Sequence, residues 1–227
     1  MICLHPYDLV EKFDCAPSLR DTAIRSTKGE GVTMRQLVVL VGPAGSGKTT
    51  FRKQYPEWAV VSKDDIRQTI FHRDFDLGYE NTVERIFAAT LVEAVESPAQ
   101  VVCVDNTNLT RAERQPLVEV ARLSNREPSA YVMPKLPLEE MYGRKQQQLK
   151  QLASDHPEVQ VNGFSKERYE MIYQRYEDTE EDEGFAKVVR DVTVPPPLSQ
   201  KPKRARKPRR ARPRGLPELK PLPLFAQ

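Results

Sequence analysis

A short apolar segment that runs directly into a glycine-rich turn constrains the fold of this chain more than any other feature. The apolar segment covers residues 37–41, and residues 42–50 read Gly-Pro-Ala-Gly-Ser-Gly-Lys-Thr-Thr. Their spacing matches Gly-x-x-x-x-Gly-Lys-Thr, in which a buried strand leads through a loop of bare backbone into a helix. The sequence therefore predicts a β-strand, a phosphate-binding P-loop and a helix that begins at Lys48.

The residue types in this loop suit a bound nucleotide. Glycines let backbone N–H groups approach a polyanion, and the helix N-terminus adds partial positive charge. Lys48 can reach the β- and γ-phosphates of ATP, and the Thr49 hydroxyl can ligate Mg²⁺. The alternative is an ordinary glycine-rich turn between a strand and a helix. The predicted ATP-binding residues are Gly42, Pro43, Ala44, Gly45, Ser46, Gly47, Lys48, Thr49 and Thr50.

Composition narrows the class of protein further. The chain has 227 residues, with 39% apolar and 30% charged residues, which is typical of a globular protein in water. No apolar run approaches the roughly 18 residues that a membrane span needs, and the first residues do not resemble a secretory signal. Cys3, Cys15 and Cys103 are too scattered for a disulfide framework or a zinc site. We expect a reducing, cytoplasmic location without membrane contact, and a core position for Cys103.

Predicted strands alternate with predicted helices along the chain, which indicates an α/β fold with a parallel sheet flanked by helices. Ligands of such sheets bind at the carboxyl ends of the strands. Strands are predicted at about 36–41, 58–62, 100–104, 129–133 and 185–189. Helices are predicted at about 48–55, 63–71, 79–96, 110–124, 137–152 and 165–176.

These elements define one predicted domain with an extension at each end. The P-loop domain covers residues 34–194. Residues 1–33 show no clear periodicity and are interpreted as a weakly structured extension, with a helical cap packed on the domain as the alternative. Residues 195–227 are rich in Pro, Arg and Lys, so we expect a disordered basic tail.

Acidic residues follow two of the predicted strands. Asp105 ends an apolar strand, at the position of a Walker B acid that would hold Mg²⁺ beside Thr49; alternatively it caps a turn. Asp64 and Asp65 follow the second strand. Either one could accept the proton of an attacking hydroxyl group, or both could simply favour the start of a helix. Arg67 lies three residues after Asp64 and can share its helix face.

Other classes of P-loop protein fit less well. The chain lacks an Asn-Lys-x-Asp guanine-reading motif and an ATP-transporter signature. It is also too short for a mechanochemical ATPase domain with its own lid subdomain. A compact kinase remains.

Three segments together resemble the P-loop polynucleotide 5′-hydroxyl kinases of phage and of bacterial RNA repair. They are the P-loop, Ser-Lys-Asp-Asp-Ile-Arg-Gln at 62–68 and Val-Asp-Asn-Thr-Asn-Leu at 104–109, within a similarity that spans 36–177. The resemblance implies ATP phosphate binding by Lys48, a general base at Asp64, an acceptor 3′-phosphate held by Arg67, and Asp105 near the metal. DNA or RNA 5′-OH ends would be the acceptors, as in nucleic acid repair.

The same family carries arginines on a lid helix, and Arg144 fits the first of these positions. One turn later this chain has Gln148 where the phage enzyme has another arginine, and Lys145 or Lys150 could supply the charge instead. Small P-loop kinases of zeta-toxin, sugar and nucleoside type share much of this layout. Two alternatives therefore stay open: a small-molecule kinase, and a non-enzymatic nucleic-acid-binding protein that uses ATP as a ligand.

The tail has a strongly basic composition. It carries ten lysines and arginines and a single acid, Glu218, whereas the whole chain has a net charge of +3. Such an arm can bind nucleic acid phosphates without sequence preference, or it can be a solvated linker or an address signal. Its end, Pro-Leu-Pro-Leu-Phe at 221–225, resembles the peptide that docks on the bacterial sliding clamp, through Leu222, Leu224 and Phe225; the alternative is that these side chains fold back onto the domain.

Overall fold

The computed structural model describes residues 34–190 and residue 192. The predictions for residues 1–33 and for the basic tail at 195–227, including the clamp-docking residues Leu222, Leu224 and Phe225, lie outside the described residues.

A five-stranded sheet forms the centre of the described domain. Its order is β2-β3-β1-β4-β5 and every neighbouring pair is parallel. Strand β1 is central because its apolar residues are buried on both faces of the sheet. The predicted α/β fold with a parallel P-loop-type sheet is confirmed. The strands are β1 Gln36–Val41, β2 Ala59–Val61, β3 Val101–Val104, β4 Glu127–Val132 and β5 Lys187–Val189.

Six α-helices connect or extend these strands, and none of the helices in the described part of the chain is long and apolar enough to cross a membrane. A 3₁₀ turn at Glu181–Glu183 follows the last helix. The helices are α1 Lys48–Arg52, α2 Lys63–Phe71, α3 Leu77–Glu96, α4 Arg111–Leu123, α5 Leu138–Asp155 and α6 Lys166–Gln174.

The two faces of the sheet have separate cores because successive β1 side chains point to opposite sides. Leu37, Val39 and Val41 pack in a cluster that also contains buried residues of α3 and α4. Val38 and Leu40 pack with residues of the other cluster, which includes Phe51 of α1, Cys103 of β3 and Met133. The predicted core position of Cys103 is confirmed.

Element boundaries differ from the predicted ones where side chains or tight turns override periodicity. Helix α1 ends at Arg52 rather than near Tyr55, because the next residues form i→i−3 turns, with the Tyr55 N–H donating to the Arg52 carbonyl over 3.0 Å. Helix α3 begins two residues earlier than predicted, because the Asp76 carboxylate accepts the N–H of Gly78. The predicted helix start at Thr110 is confirmed, since its hydroxyl accepts the Glu113 N–H.

A fully buried arginine ties the end of the described domain to the loop after β3. The Arg114 guanidinium binds both carboxylate oxygens of Glu183 over 2.7 Å, and neither side chain is exposed. The same guanidinium donates to the carbonyls of Asn108 and Leu109 over 3.1 and 2.9 Å. Although burial opposes it, the hydrogen bond from Arg114 lowers the pKa of Glu183. The buried Arg114–Glu183 ion pair therefore fixes the position of the loop after β3.

Candidate active site

The P-loop adopts a conformation that its glycines make possible. Gly45 and Gly47 have φ values of +84° and +101°, in the left-handed region that side chains disfavour. The Lys48 ammonium lies under the loop, where it donates to the carbonyls of Gly42 and Pro43 over 2.6 and 2.9 Å. This arrangement places a buried cation at the N-terminus of α1, where phosphates would bind.

Burial has a direct effect on Lys48. Removal from solvent lowers the pKa of its ammonium from 10.5 to about 8, while the negative charges of Asp105 and Asp64 oppose the shift. The positive charge of Lys145, on α5, lowers the pKa further. The P-loop lysine is thus influenced by both predicted acids and by a lysine of the predicted lid.

Oxygen donors for a divalent cation lie beside Lys48. The Thr49 hydroxyl donates to Oδ2 of Asp105 over 3.1 Å, and the Asp105 side chain is 4% exposed. Burial raises the pKa of Asp105, against the charges of Lys48 and Arg52 and the Thr49 hydrogen bond. One hydroxyl and one carboxylate fit Mg²⁺, which keeps several waters and takes further oxygens from substrate phosphates.

Asp64 lies in the first turn of α2, next to Arg67, the arginine predicted to bind the acceptor substrate. Arg67 Nη1 lies 2.5 Å from Oδ1 of Asp64. The Asp64 side chain is 53% exposed, so its carboxylate is accessible while Arg67 fixes its orientation. The structure therefore brings Lys48, Thr49, Asp64, Arg67 and Asp105 to the same carboxyl edge of the sheet.

Asp65, the neighbouring acid, has a different environment. Its Oδ2 lies 2.7 Å from Nη2 of Arg52, whose Nε lies 2.9 Å from Oδ2 of Asp105. Arg52 thus bridges Asp65 to Asp105, the predicted metal ligand. The structure therefore distinguishes the environments of Asp64 and Asp65, which the sequence alone did not.

Residues that hold the site in place were missed: Glu80 lies in no local pattern, and the segment at 104–109 suggested no role for Thr107 or Asn108. Glu80 of α3 holds Arg67 with both carboxylate oxygens, over 2.8 and 2.7 Å. Asn108 donates to the Leu40 carbonyl over 2.7 Å, and the Gly42 N–H donates to the Thr107 carbonyl over 3.0 Å. These bonds fix the loop after β3 against the P-loop. The one link to residue type is at Asn108, whose φ of +48° lies in a region that Asn tolerates better than most residues.

The helices α5 and α6 contact the P-loop directly. The Tyr169 hydroxyl, on α6, donates to the Ala44 carbonyl over 2.5 Å. A side chain at Gly45 would collide with the backbone carbonyl of Met141 on α5. Burial raises the pKa of Tyr169 to about 12, so its hydroxyl remains a donor. These contacts support the interpretation of α5 as a lid helix.

The structure does not bring the predicted lid arginine to the phosphate site. Arg144 pairs with Glu140 over 2.7 Å on the surface of α5, and each side chain is 47% exposed. Lys145 is half-buried, and its backbone N would lie 3.4 Å from a side chain at Gly45. Gln148 is exposed. The catalytic role of Arg144 stays a prediction, and Lys145 is the lid cation nearest the P-loop in this arrangement.

A family model described as an AAA domain matches residues 37–171. The match covers the P-loop, both acidic segments and helix α5, and the chain belongs to this family. The fold, the family and the P-loop together define a nucleotide-binding P-loop domain with a kinase-like fold. No curated protein matches the chain.

Solved structures with a similar fold include several kinases. A candidate kinase from Chloroflexus aurantiacus j-10-fl is 13% identical with a TM-score of 0.54, over 70% of this chain and 88% of the other. A chain of the Pnkp1/Rnl/Hen1 complex is 27% identical with a TM-score of 0.43, over 52% of this chain and 41% of the other. A fungal RNA kinase is 18% identical with a TM-score of 0.41, over 73% and 78%. This chain therefore spans less than half of the Pnkp1/Rnl/Hen1 chain. The family match and the parallel sheet confirm the predicted P-loop family and fold.

Proposed function

We propose that this protein transfers the γ-phosphoryl group of ATP to the 5′-hydroxyl of a DNA or RNA end. The observation that carries the proposal is the placement of Asp64. Its carboxylate is 53% exposed and held by Arg67, and its charge acts on both Lys48 and Asp105. Phosphoryl transfer to a hydroxyl needs a base that can take its proton near the bound phosphates.

Each residue of the site has a stated part in this reaction. The P-loop N–H groups and Lys48 bind the ATP phosphates. Thr49 and Asp105 would hold Mg²⁺, which when bound neutralises charge on the phosphate oxygens. Asp64 accepts the proton of the 5′-hydroxyl. The hydroxyl oxygen forms a bond to the γ-phosphorus, and the bond between the γ-phosphorus and the bridging β-phosphate oxygen breaks. ADP and a 5′-phosphorylated end are the products.

Asp64 is a better base than Asp65 because of what surrounds each carboxylate. Asp65 lies against Arg52, whose guanidinium is also bound to Asp105. The two side chains are similarly exposed, at 50% for Asp65 and 53% for Asp64. They differ in their partners, because Arg52 also binds the buried Asp105 whereas Arg67 also binds Glu80. The two neighbouring acids therefore form a matched pair for mutagenesis.

The polynucleotide acceptor is proposed from the sequence segments at 62–68 and 104–109, which resemble the 5′-hydroxyl kinases. The basic tail supports this choice because a positively charged arm attracts a polyanion more strongly than a neutral sugar or nucleoside. A 5′-phosphate is required for end joining, so the reaction would belong to nucleic acid repair.

The test measures label transfer from γ-labelled ATP with Mg²⁺ to a 5′-hydroxyl oligonucleotide. Asp64→Asn should abolish transfer, by about 100-fold or more, and keep ATP affinity within about twofold. Asp65→Asn should retain most of the transfer rate. The exposed Asp182→Asn, which removes a carboxylate from a surface ion pair with Arg111, is the control. Equal loss in the Asp64 and Asp65 variants would contradict the assignment of the base.

A panel of acceptors separates the alternatives. It contains single-stranded DNA and RNA of one sequence, a nucleoside panel and a sugar panel. Label confined to the small molecules would identify a small-molecule kinase. ATP binding without transfer to any acceptor would favour a nucleic-acid-binding protein that uses ATP as a ligand.

A further inference from the structure

The helices of the described chain cover the two faces of the central sheet to different extents. On one face the core cluster includes buried side chains of α3 and α4, which have 20 and 13 residues. On the other face, which we call the open face, Phe51 of the five-residue α1 is the only helical side chain of the described part in the cluster. Parallel sheets are normally buried on both faces, so the open face lacks a second covering element among the described residues.

Apolar side chains extend across the whole width of the open face. Beside β2, the rings of Tyr55 and Trp58 stack with their centres 4.2 Å apart. These two rings and Val60 are among the residues that line a groove of about 240 Å³. Each strand other than β1 contributes a half-buried side chain to this face, namely Val60, Val101, Tyr131 and Val189. An apolar surface of this extent suits a segment that brings apolar side chains of its own.

Residues 1–33 join the domain at the edge of the open face. They lead through Met34, which is 61% exposed, and Arg35 into β1, the central strand. Five strands at a spacing of about 4.8 Å span about 19 Å, which is the length of about 13 helical residues. The 33 residues that precede Met34 are therefore long enough to cross the sheet.

The composition of residues 1–33 favours them over the tail as the covering segment. Although they show no periodicity as a whole, a helical turn would place Leu9, Val10 and Phe13 on one side. The charged side chains between them would point away from that side: Asp8, Glu11 and Lys12. The tail is the competing segment because Val192 packs at the open face. It carries ten lysines and arginines, however, and burial of charged groups against an apolar surface is costly.

We propose that residues 1–33 cover the open face, with residues 9–13 packed against Trp58. The ring of Phe51 in α1 lies 6.1 Å from that of Trp58 and 5.6 Å from that of Tyr131. The covering segment would therefore also support the short helix that follows the P-loop. This inference is independent of the proposed kinase activity, because it concerns how the domain itself is completed.

Trp58 is the single tryptophan of the chain, so its fluorescence reports directly on the open face. In the full chain, Phe13→Asp should shift the emission of Trp58 to longer wavelength. The same variant should raise acrylamide quenching about twofold, because a carboxylate is costly to bury against apolar side chains. Lys12→Asp introduces the same carboxylate one position away, on the polar side, and should change neither quantity. Retained ADP binding shows that each variant is folded.

The remaining measurements distinguish the possible covering segments. Truncation after Val194 should leave the emission of Trp58 unchanged. Equal emission and quenching in the wild type and in Phe13→Asp would overturn the proposal, as would equal shifts in Phe13→Asp and Lys12→Asp. A shift on truncation of the tail, without one in Phe13→Asp, would assign the open face to the tail instead. Emission that depends on protein concentration, together with a dimer in sedimentation, would assign it to a second copy of the chain and likewise overturn the proposal.

Discussion

Arg52 Nε lies 2.9 Å from Oδ2 of Asp105, and this ion pair joins the helix after the P-loop to the end of β3. The side chains are 11% and 4% exposed. The same carboxylate oxygen accepts the Thr49 hydroxyl. A buried cation therefore supports the acid that is proposed to hold Mg²⁺, and its removal leaves that acid poorly compensated.

Replacement of Arg52 by Met should destabilise the protein by about 3 kcal/mol, because loss of one partner of a buried ion pair leaves an unpaired charge. The free energy of unfolding in urea measures this change. The double variant Arg52→Met/Asp105→Asn should lose clearly less than the sum of the two single variants.

The matched control is Arg175→Met, which breaks an ion pair with Glu113 whose side chains are 57% and 35% exposed. It should cost under about 1 kcal/mol. An equal cost for the Arg52 and Arg175 variants would show that the Asp105 pair contributes no more than a surface pair.

Nucleotide affinity should depend on pH through Lys48. Burial lowers the pKa of its ammonium to about 8 in the nucleotide-free protein, and bound phosphates favour the charged form. Nucleotide affinity should therefore be constant well below pH 8, where Lys48 is already protonated. It should fall above pH 8, because binding must then take up a proton. The fall should approach tenfold per pH unit. Calorimetric titration with ADP from pH 6.5 to 9.5 measures it.

Two variants test this pH dependence. Lys48→Ala should bind weakly and show no fall near pH 8. Lys145→Met should shift the onset of the fall to higher pH, since the charge of Lys145 lowers the pKa of Lys48. An unchanged pH profile in Lys48→Ala would assign the titration to another group.

Two glycines near the lid should respond in opposite ways to alanine. A side chain at Gly143, in the middle of α5, meets no atom within 4 Å. Gly143→Ala should therefore stabilise the protein by about 0.5–1 kcal/mol, through the helix preference of Ala. Gly45→Ala should abolish nucleotide binding, because φ is +84° and the added carbon collides with the Met141 carbonyl. Urea unfolding and ADP titration of both variants check these results; destabilisation by Gly143→Ala would contradict the open position.

The basic tail should contribute to nucleic acid binding and leave nucleotide binding unchanged. Truncation after Val194 removes ten lysines and arginines and should reduce the slope of log affinity for single-stranded DNA against log salt. Affinity for ADP should not change. Anisotropy with a labelled oligonucleotide at several salt concentrations measures the slope. An identical slope for the full-length and truncated proteins would show that the tail does not contribute to DNA binding.

The sequence predicted the fold because local patterns specify its parts. The run at Leu37–Val41 and the glycines after it define the central strand and the P-loop. Helix α2 at Lys63–Phe71 was predicted with its observed ends from the two acids at its start, and the structure adds a Ser62 cap. Short elements were predicted less well. The helix after the P-loop was predicted too long, since the turns after Arg52 depend on tertiary packing rather than periodicity.

The candidate site was predictable where a residue lies just after a strand, as Asp105 does after β3 and Asp64 does at the start of the helix after β2. Arg52 and Glu80 could not be found in this way, because their partners lie on other elements and only the folded chain brings them together. The separate environments of Asp64 and Asp65 were also unpredictable, since neighbouring residues on a helix point in directions about 100° apart.

The position of the transferred phosphate is the decisive measurement for the proposed 5′-hydroxyl kinase activity. The wild-type protein is given γ-labelled ATP, Mg²⁺ and single-stranded oligonucleotides that carry either a free 5′-hydroxyl with a blocked 3′ end or a 5′-phosphate with a free 3′-hydroxyl. Label is expected on the first oligonucleotide alone, recovered as a labelled 5′-mononucleotide after nuclease digestion, and no label is expected with Asp64→Asn. Label on the second oligonucleotide, or undiminished transfer by Asp64→Asn, would contradict the proposed activity.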